Sequence, residues 1–258
     1  MALPGTLVLP LSGFLSISAY RMLLVFARVS AAFLMVPGFG EPGVPVRVRI
    51  LAGLGLAATI SSVIPGMPTN VPGTYGILLA VAAEVLNGAL LGTISRVLMT
   101  GLLIGGQVAG QAVGLSNIFV MGLGFDQSAT IGAAFYAGFL AVLFATDGHH
   151  LIIRTIADSY TLMPPGLFPD MADDAHAVVA AALRAFRLAA QLGMPFLVLS
   201  LMFNVSLAGI NKALPAMPVF MIGAPAIVMA GLYLMTAVIP GVIEQGMLAF
   251  TDLASVLR

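Results

Sequence analysis

The chain has 258 residues, of which 60% are hydrophobic and 8% charged, against roughly 25% charged in an ordinary soluble domain. Ten basic residues balance ten acidic ones, so no field of one sign is present to draw in nucleic acid. With no cysteine, disulfides, thiolate nucleophiles and cysteine-held metals are excluded together.

No basic residue precedes Arg21, so a cleavable signal peptide is not expected and the first apolar segment should stay in the mature chain. That segment predicts a helix from about Phe14 to Val36, closed by Pro37, Pro42 and Pro45, which cannot continue it. A second helix is predicted from Val48 to Ile64, ending at the turn-rich "PGMPTNVPG". From Thr74 to Gly114 the chain is apolar apart from Glu84 and Arg96 and holds no proline. One helix of that length would reach ~60 Å, about double a hydrocarbon core, so it either turns back near Arg96 or extends beyond a bilayer. Further apolar segments run from about Ala129 to Thr146, Arg187 to Gly209 and Val219 to Ile243, with the main polar region between the first two. No internal repeat or composition shift marks a second domain. The expected fold is all-α: one polytopic helical membrane domain over residues 1–258, with long, broken helices and hairpins. Basic residues are too thinly spread to fix its orientation.

Several residues stand out within that frame. Arg21 and Arg28 are seven apart, on one helical face, and Arg28 lies deep in its segment. An intramembrane arginine either caps carbonyls or pairs with an acid such as Glu84, or else lines an ion path. Pairing or partner contact is favoured, because no acidic ladder accompanies it. Gly106, Gly110 and Gly114 form a GxxxGxxxG row, echoed by Gly88 with Gly92 and Gly101 with Gly105. Small residues at this spacing let helix backbones approach closely, while Gln107 and Gln111 can hydrogen-bond a neighbouring helix. His149 and His150 point about 100° apart if helical, which reads as packing or capping more than as metal ligation. Asp170, Asp173, Asp174 and His176 suit the N-terminal dipole of the alanine-rich helix that follows. The "GLSN" at Gly114–Asn117 looks superficially like the GxS of an intramembrane protease, but a serine and a histidine alone do not make a nucleophile and base. No catalytic residue and no cofactor are expected.

Between two apolar segments lies "VGLSNIFVMGLGFDQS", a loop as apolar as a core. Gly114, Gly122 and Gly124 give it conformational freedom, while Ile118, Phe119, Val120, Met121 and Phe125 give it bulk.

Four stretches taken in order, Val44–Pro65, Gly105–Asn117, Leu143–Gly166 and Ile210–Val228, resemble the FliR/SctT family of type III export-gate proteins. The likeness covers nearly the whole chain; Val44, Pro45, Arg47, Arg49, Gly148, His149, Asn211, Lys212 and Pro215 are among the residues that carry it. The chain departs from the family's pattern at Asp147, where Asn is usual, at Lys212, where Arg is common, at Gln107, where Glu is frequent, and in lacking Asp-Pro after Phe119. The resemblance implies an export-gate subunit that assembles with FliP and FliQ, with FlhB and FlhA as further partners, in the bacterial inner membrane at the flagellar basal body. Unfolded flagellar subunits would pass through the assembled channel. It also implies that residues 114–127 are a plug-like loop sealing the closed pore. The alternatives are an injectisome subunit of the SctT type, or a small-molecule or ion transporter with Arg28 and Glu84 at a midplane site.

Overall fold

The computed structural model describes residues 11–64, 66–114, 129–214 and 219–251. Among these the regular elements are seven α-helices and no strand: α1 (Leu11–Met35), α2 (Val46–Ile60), α3 (Thr74–Ala112), α4 (Ala129–Ala145), α5 (Gly148–Leu162), α6 (Met171–Ala213) and α7 (Val219–Thr251). Helices are what a chain this apolar can form, since they satisfy their backbone groups internally. Four of them, α1, α3, α6 and α7, are long and apolar enough to cross a membrane. The protein is an all-α polytopic membrane protein.

The chain forms two compact units. One holds α1, α2, α3 as far as Ser95, and the stretch Ile153–Ala177. Its core is built from Tyr20, Leu24, Val25, Val29 and Phe33 of α1, with Ala80, Ala83, Leu91 and Ile94 of α3 and Ile156 and Tyr160 of α5. Gly53 of α2 lies against Phe26 and Ser30 of α1, where a Cβ would meet Ser30 Oγ at 3.2 Å. Between α1 and α2 the chain folds back tightly, with Phe39 stacked on Phe33 at 4.3 Å between ring centres.

The other unit holds α3 from Arg96, α4, α5 as far as Ile152, α6 from Val178, and α7. Leu98, Met99 and Leu102 of α3, Phe139 and Leu143 of α4, and Ala185, Leu188, Leu192 and Phe196 of α6 make its core. Pro195 in α6 and Pro225 and Pro240 in α7 each stand inside a helix, where each removes a backbone hydrogen bond.

No turn interrupts the third segment: α3 is one helix of 39 residues with Arg96 inside it, about 58 Å long at 1.5 Å per residue. The polar region from Asp147 to His176 carries α5 and the first turns of α6. Ile152, Ile156 and Tyr160 bury one face of α5, while Arg154 and Asp158 lie outside. The sixth helix starts at Met171, inside the Asp170–His176 cluster and well before the apolar segment at Arg187, and Asp170 caps it: Ala172 N donates to Asp170 Oδ1 at 2.9 Å.

Candidate functional site: a buried ion network and the end of α3

Arg28 is fully buried in the middle of α1. A guanidinium carries five N–H donors and cannot shed its proton, so burial obliges the fold to supply acceptors. Nε donates to Glu84 Oε2 at 2.6 Å and Nη2 to Oε1 at 3.2 Å, a bidentate pair with both side chains wholly inaccessible. Nη1 donates to Ser159 Oγ at 3.0 Å and Nη2 to the Met163 carbonyl at 3.0 Å. The Tyr160 ring lies 3.7 Å from the guanidinium carbon, close enough for a cation–π contact. Glu84 accepts two further hydrogen bonds. Gly166 N donates to Oε1 at 2.7 Å and Tyr160 Oη to Oε2 at 3.4 Å.

One charge pair thus ties α1, α3, α5 and the "MPPG" turn to one another. Gly166 can reach Glu84 because its φ of 76° turns the chain there, a conformation glycine adopts without steric cost. One helical turn beyond Glu84, Asn87 Nδ2 donates to the Leu167 carbonyl at 3.1 Å, while its buried Oδ1 has no partner among the described residues. Arg21, on the same face of α1, takes a different role and donates from Nε to the Pro68 carbonyl at 2.8 Å. Ser159, Tyr160, Met163 and Gly166 have no place among the sequence candidates. For the two side chains the 152, 156, 160 spacing of buried apolar residues was the available signal; the backbone donor and acceptor have none.

Replacing Tyr160 by phenylalanine removes only the long hydroxyl contact and keeps the ring over Arg28. The expected loss of stability is about 0.5–1.5 kcal/mol, measured by chemical unfolding of the purified chain, and a loss several times larger would mean that the hydroxyl bears more of the network than its distance implies.

In the second unit the glycines of α3 meet their neighbours closely. Gly101 packs on the Ala185 backbone of α6 and Gly105 on Ala189 and Leu192, while Gly106 faces Phe135 of α4. Gly110 is buried, Gln107 half-buried against Gly132 of α4, and Gln111 exposed. Gly114 is not the last member of a helical glycine row: α3 has ended at Ala112, and Gly114 has a φ of 74° with no other described residue within 4 Å of where a Cβ would stand. A left-handed glycine just past a helix is a common stop, since it frees the chain to leave the helix axis. Ile118, Phe119, Val120, Met121, Gly122, Gly124 and Phe125 lie outside the described residues, as does Pro215.

The remaining sequence candidates are spread over the molecule. Pro45 precedes α2 and is exposed, Val44 is half-buried, and Arg47 is exposed. Arg49 turns back to donate to the carbonyls of Phe39 and Glu41 at 2.8 and 3.2 Å, closing the α1–α2 turn. Asn211 and Lys212 are exposed at the end of α6. Gly148 is buried at the start of α5 against Leu143. The rings of His149 and His150 do not diverge: their centres are 4.2 Å apart. As second and third residues of α5 they have no preceding helical turn to restrict their rotamers.

Residues 19–253 match the family described as bacterial export proteins, family 1. The flagellar biosynthetic protein FliR of Caulobacter vibrioides is 32% identical over 225 residues, covering 86% of this chain and 90% of its own. FliR of Escherichia coli strain K12 is 28% identical, with 88% and 85% covered, and FliR of Aquifex aeolicus 26% identical, with 85% of each covered. A match over most of the length, on a chain of long apolar helices, identifies the family: the chain belongs to family 1 of the bacterial export proteins, the family of the flagellar biosynthetic protein FliR.

Proposed function

We propose that this protein is a core component of the flagellar type III export gate, one of the subunits forming the channel through which unfolded flagellar proteins cross the inner membrane. FliP and FliQ homologues are its immediate partners in this reading, with FlhB and FlhA beside them at the basal body. The reading assigns the chain no catalytic step.

The observation that carries the mechanism is the segment 114–127, in which the apolar run Ile118–Met121 and Phe125 stand among Gly114, Gly122 and Gly124 between α3 and α4. An export channel must pass a polypeptide yet hold back water and ions when idle. A wad of apolar side chains does this by dewetting the constriction. Phenylalanine supplies volume, and methionine, unbranched and soft, repacks around changing cargo. Gly114, already left-handed at the end of α3, is suited to be one pivot of the loop. The buried Arg28–Glu84 network would hold α1, α3 and α5 fixed while the loop moves. Because the two charges are buried and paired with each other, the network supports a structural role better than an ion path.

Deleting Ile118–Met121 in the assembled complex is expected to raise ion leakage through the idle gate. Leakage that stays the same whether the gate is artificially opened or closed would reject the seal. Co-purification with FliP and FliQ homologues, and loss of filaments in a deletion strain, test the assembly separately.

A further inference from the structure

At the joint between α4 and α5, Asp147, His149 and His150 bring one ligating atom each to within 4.8 Å of one another, the one such group of three among the described residues. We propose that these three side chains form a site for a borderline divalent transition-metal ion of the Zn2+ or Cu2+ class.

The local backbone creates the cluster. Asp147 has a φ of 58°, a left-handed conformation that aspartate tolerates better than most residues, and this sets its side chain beside the first turn of α5. His150 Nδ1 stands 3.8 Å from Asp147 Oδ1. Nitrogen and oxygen ligands sit about 2.0–2.2 Å from such an ion, so two ligands of one ion are about 3 to 4 Å apart. Small rotations of the three side chains therefore reach coordination distance.

A second observation points the same way. His149 Nδ1 is buried and has no hydrogen-bond partner among the described residues, which is uncommon for a ring nitrogen and calls for an explanation. Its ring is held by stacking on Phe144, with centres 5.2 Å apart and planes within 13°. Asp147 and His150 are instead largely open to solvent, at 78% and 69%, leaving room for water in the remaining coordination positions. The positive N-terminal end of α5 opposes a cation, but the carboxylate and the carbonyl-bearing C-terminal end of α4 lie at the same joint and offset it. Two imidazoles with one carboxylate favour Zn2+ or Cu2+ over Mg2+ and Ca2+, which prefer all-oxygen sites.

The chain has three histidines in all, so the assignment is clean. Full-length protein in detergent, carrying no polyhistidine tag, is titrated with Cu2+ and followed by electron paramagnetic resonance. One bound equivalent with coupling to two nitrogens is expected, displaced by a large excess of Zn2+ but not by the same excess of Mg2+. His149→Gln with His150→Gln should lower the affinity at least about tenfold, and His176→Gln should leave it unchanged. If the double variant does not fold, judged by circular dichroism and melting, Asp147→Asn and His150→Gln alter exposed side chains and give the same readout singly. Unchanged affinity in these variants, coupling to fewer than two nitrogens, or equal displacement by Mg2+ would overturn the site.

Discussion

Glu84→Ala is expected to cost about 3–5 kcal/mol of stability, the usual consequence of leaving a buried charge without its counter-ion. A buried guanidinium keeps its charge, and Arg28 sits at zero exposure with no solvent to turn to. Two of its four hydrogen bonds go to Glu84, and Gly166 N and Tyr160 Oη lose their shared acceptor at the same time. Removing both charges, as Arg28→Met with Glu84→Leu, should recover part of that loss, since apolar replacements of a buried pair are often tolerated. Recovery should stay incomplete, because the Gly166 amide and the Met163 carbonyl remain orphaned, each at about 1–3 kcal/mol. Denaturant midpoints of the parent, the single variant and the double variant in one detergent decide it. A single variant that unfolds at the parent's midpoint would show that water reaches Arg28, and the network would not be the clamp its geometry describes.

What could be read in the sequence follows from how local each signal is. Prolines after Val36 and the turn-rich stretch that ends at Pro72 and Gly73 are local, and α1 and α3 run within a few residues of the predicted limits. The helix α5 was hidden because Arg154, Thr155, Asp158 and Ser159 make its composition that of a loop; only the spacing of Ile152, Ile156 and Tyr160 betrays a buried face. The end of α7 was hidden for a related reason. Pro240, Glu244 and Gln245 read as a stop near Ile243, yet the helix continues to Thr251, since a proline removes one bond without ending a helix whose neighbours pack around it. In the ion network, Arg28 draws attention from sequence alone, as a cation in an apolar helix must be compensated, and Glu84 is the acid within the next long helix. The Met163 carbonyl and Gly166 amide are backbone atoms placed by a turn, and no residue type encodes them. The paired histidines show the opposite case, where a helical-wheel angle misleads because the first turn of a helix leaves rotamers open.

The same substitution, glycine to alanine, is expected to have opposite signs at different places in these helices. At Gly88 a Cβ would fall on the Arg28 carbonyl, and at Gly101 on the Ala185 carbonyl. Both obstacles are backbone atoms of α1 and α6, so relief requires one helix to move off another. Such overpacking costs about 1–3 kcal/mol or more, which outweighs the ~1 kcal/mol that alanine gains over glycine in a helix. Gly92 and Gly105, one turn on, have carbonyl oxygens at 2.8 and 2.9 Å from a Cβ, and should show a smaller loss. Gly55 in α2 and Gly209 in α6 have nothing within 4 Å, so alanine there should stabilise by about 0.5–1 kcal/mol. Unfolding of the six single variants in one detergent gives the order directly. Were Gly88→Ala and Gly101→Ala as stable as Gly55→Ala, the glycines of α3 would be tolerated rather than required, and the close approach of α3 to α1 in one unit and to α6 in the other would need another cause than small residues at the contact.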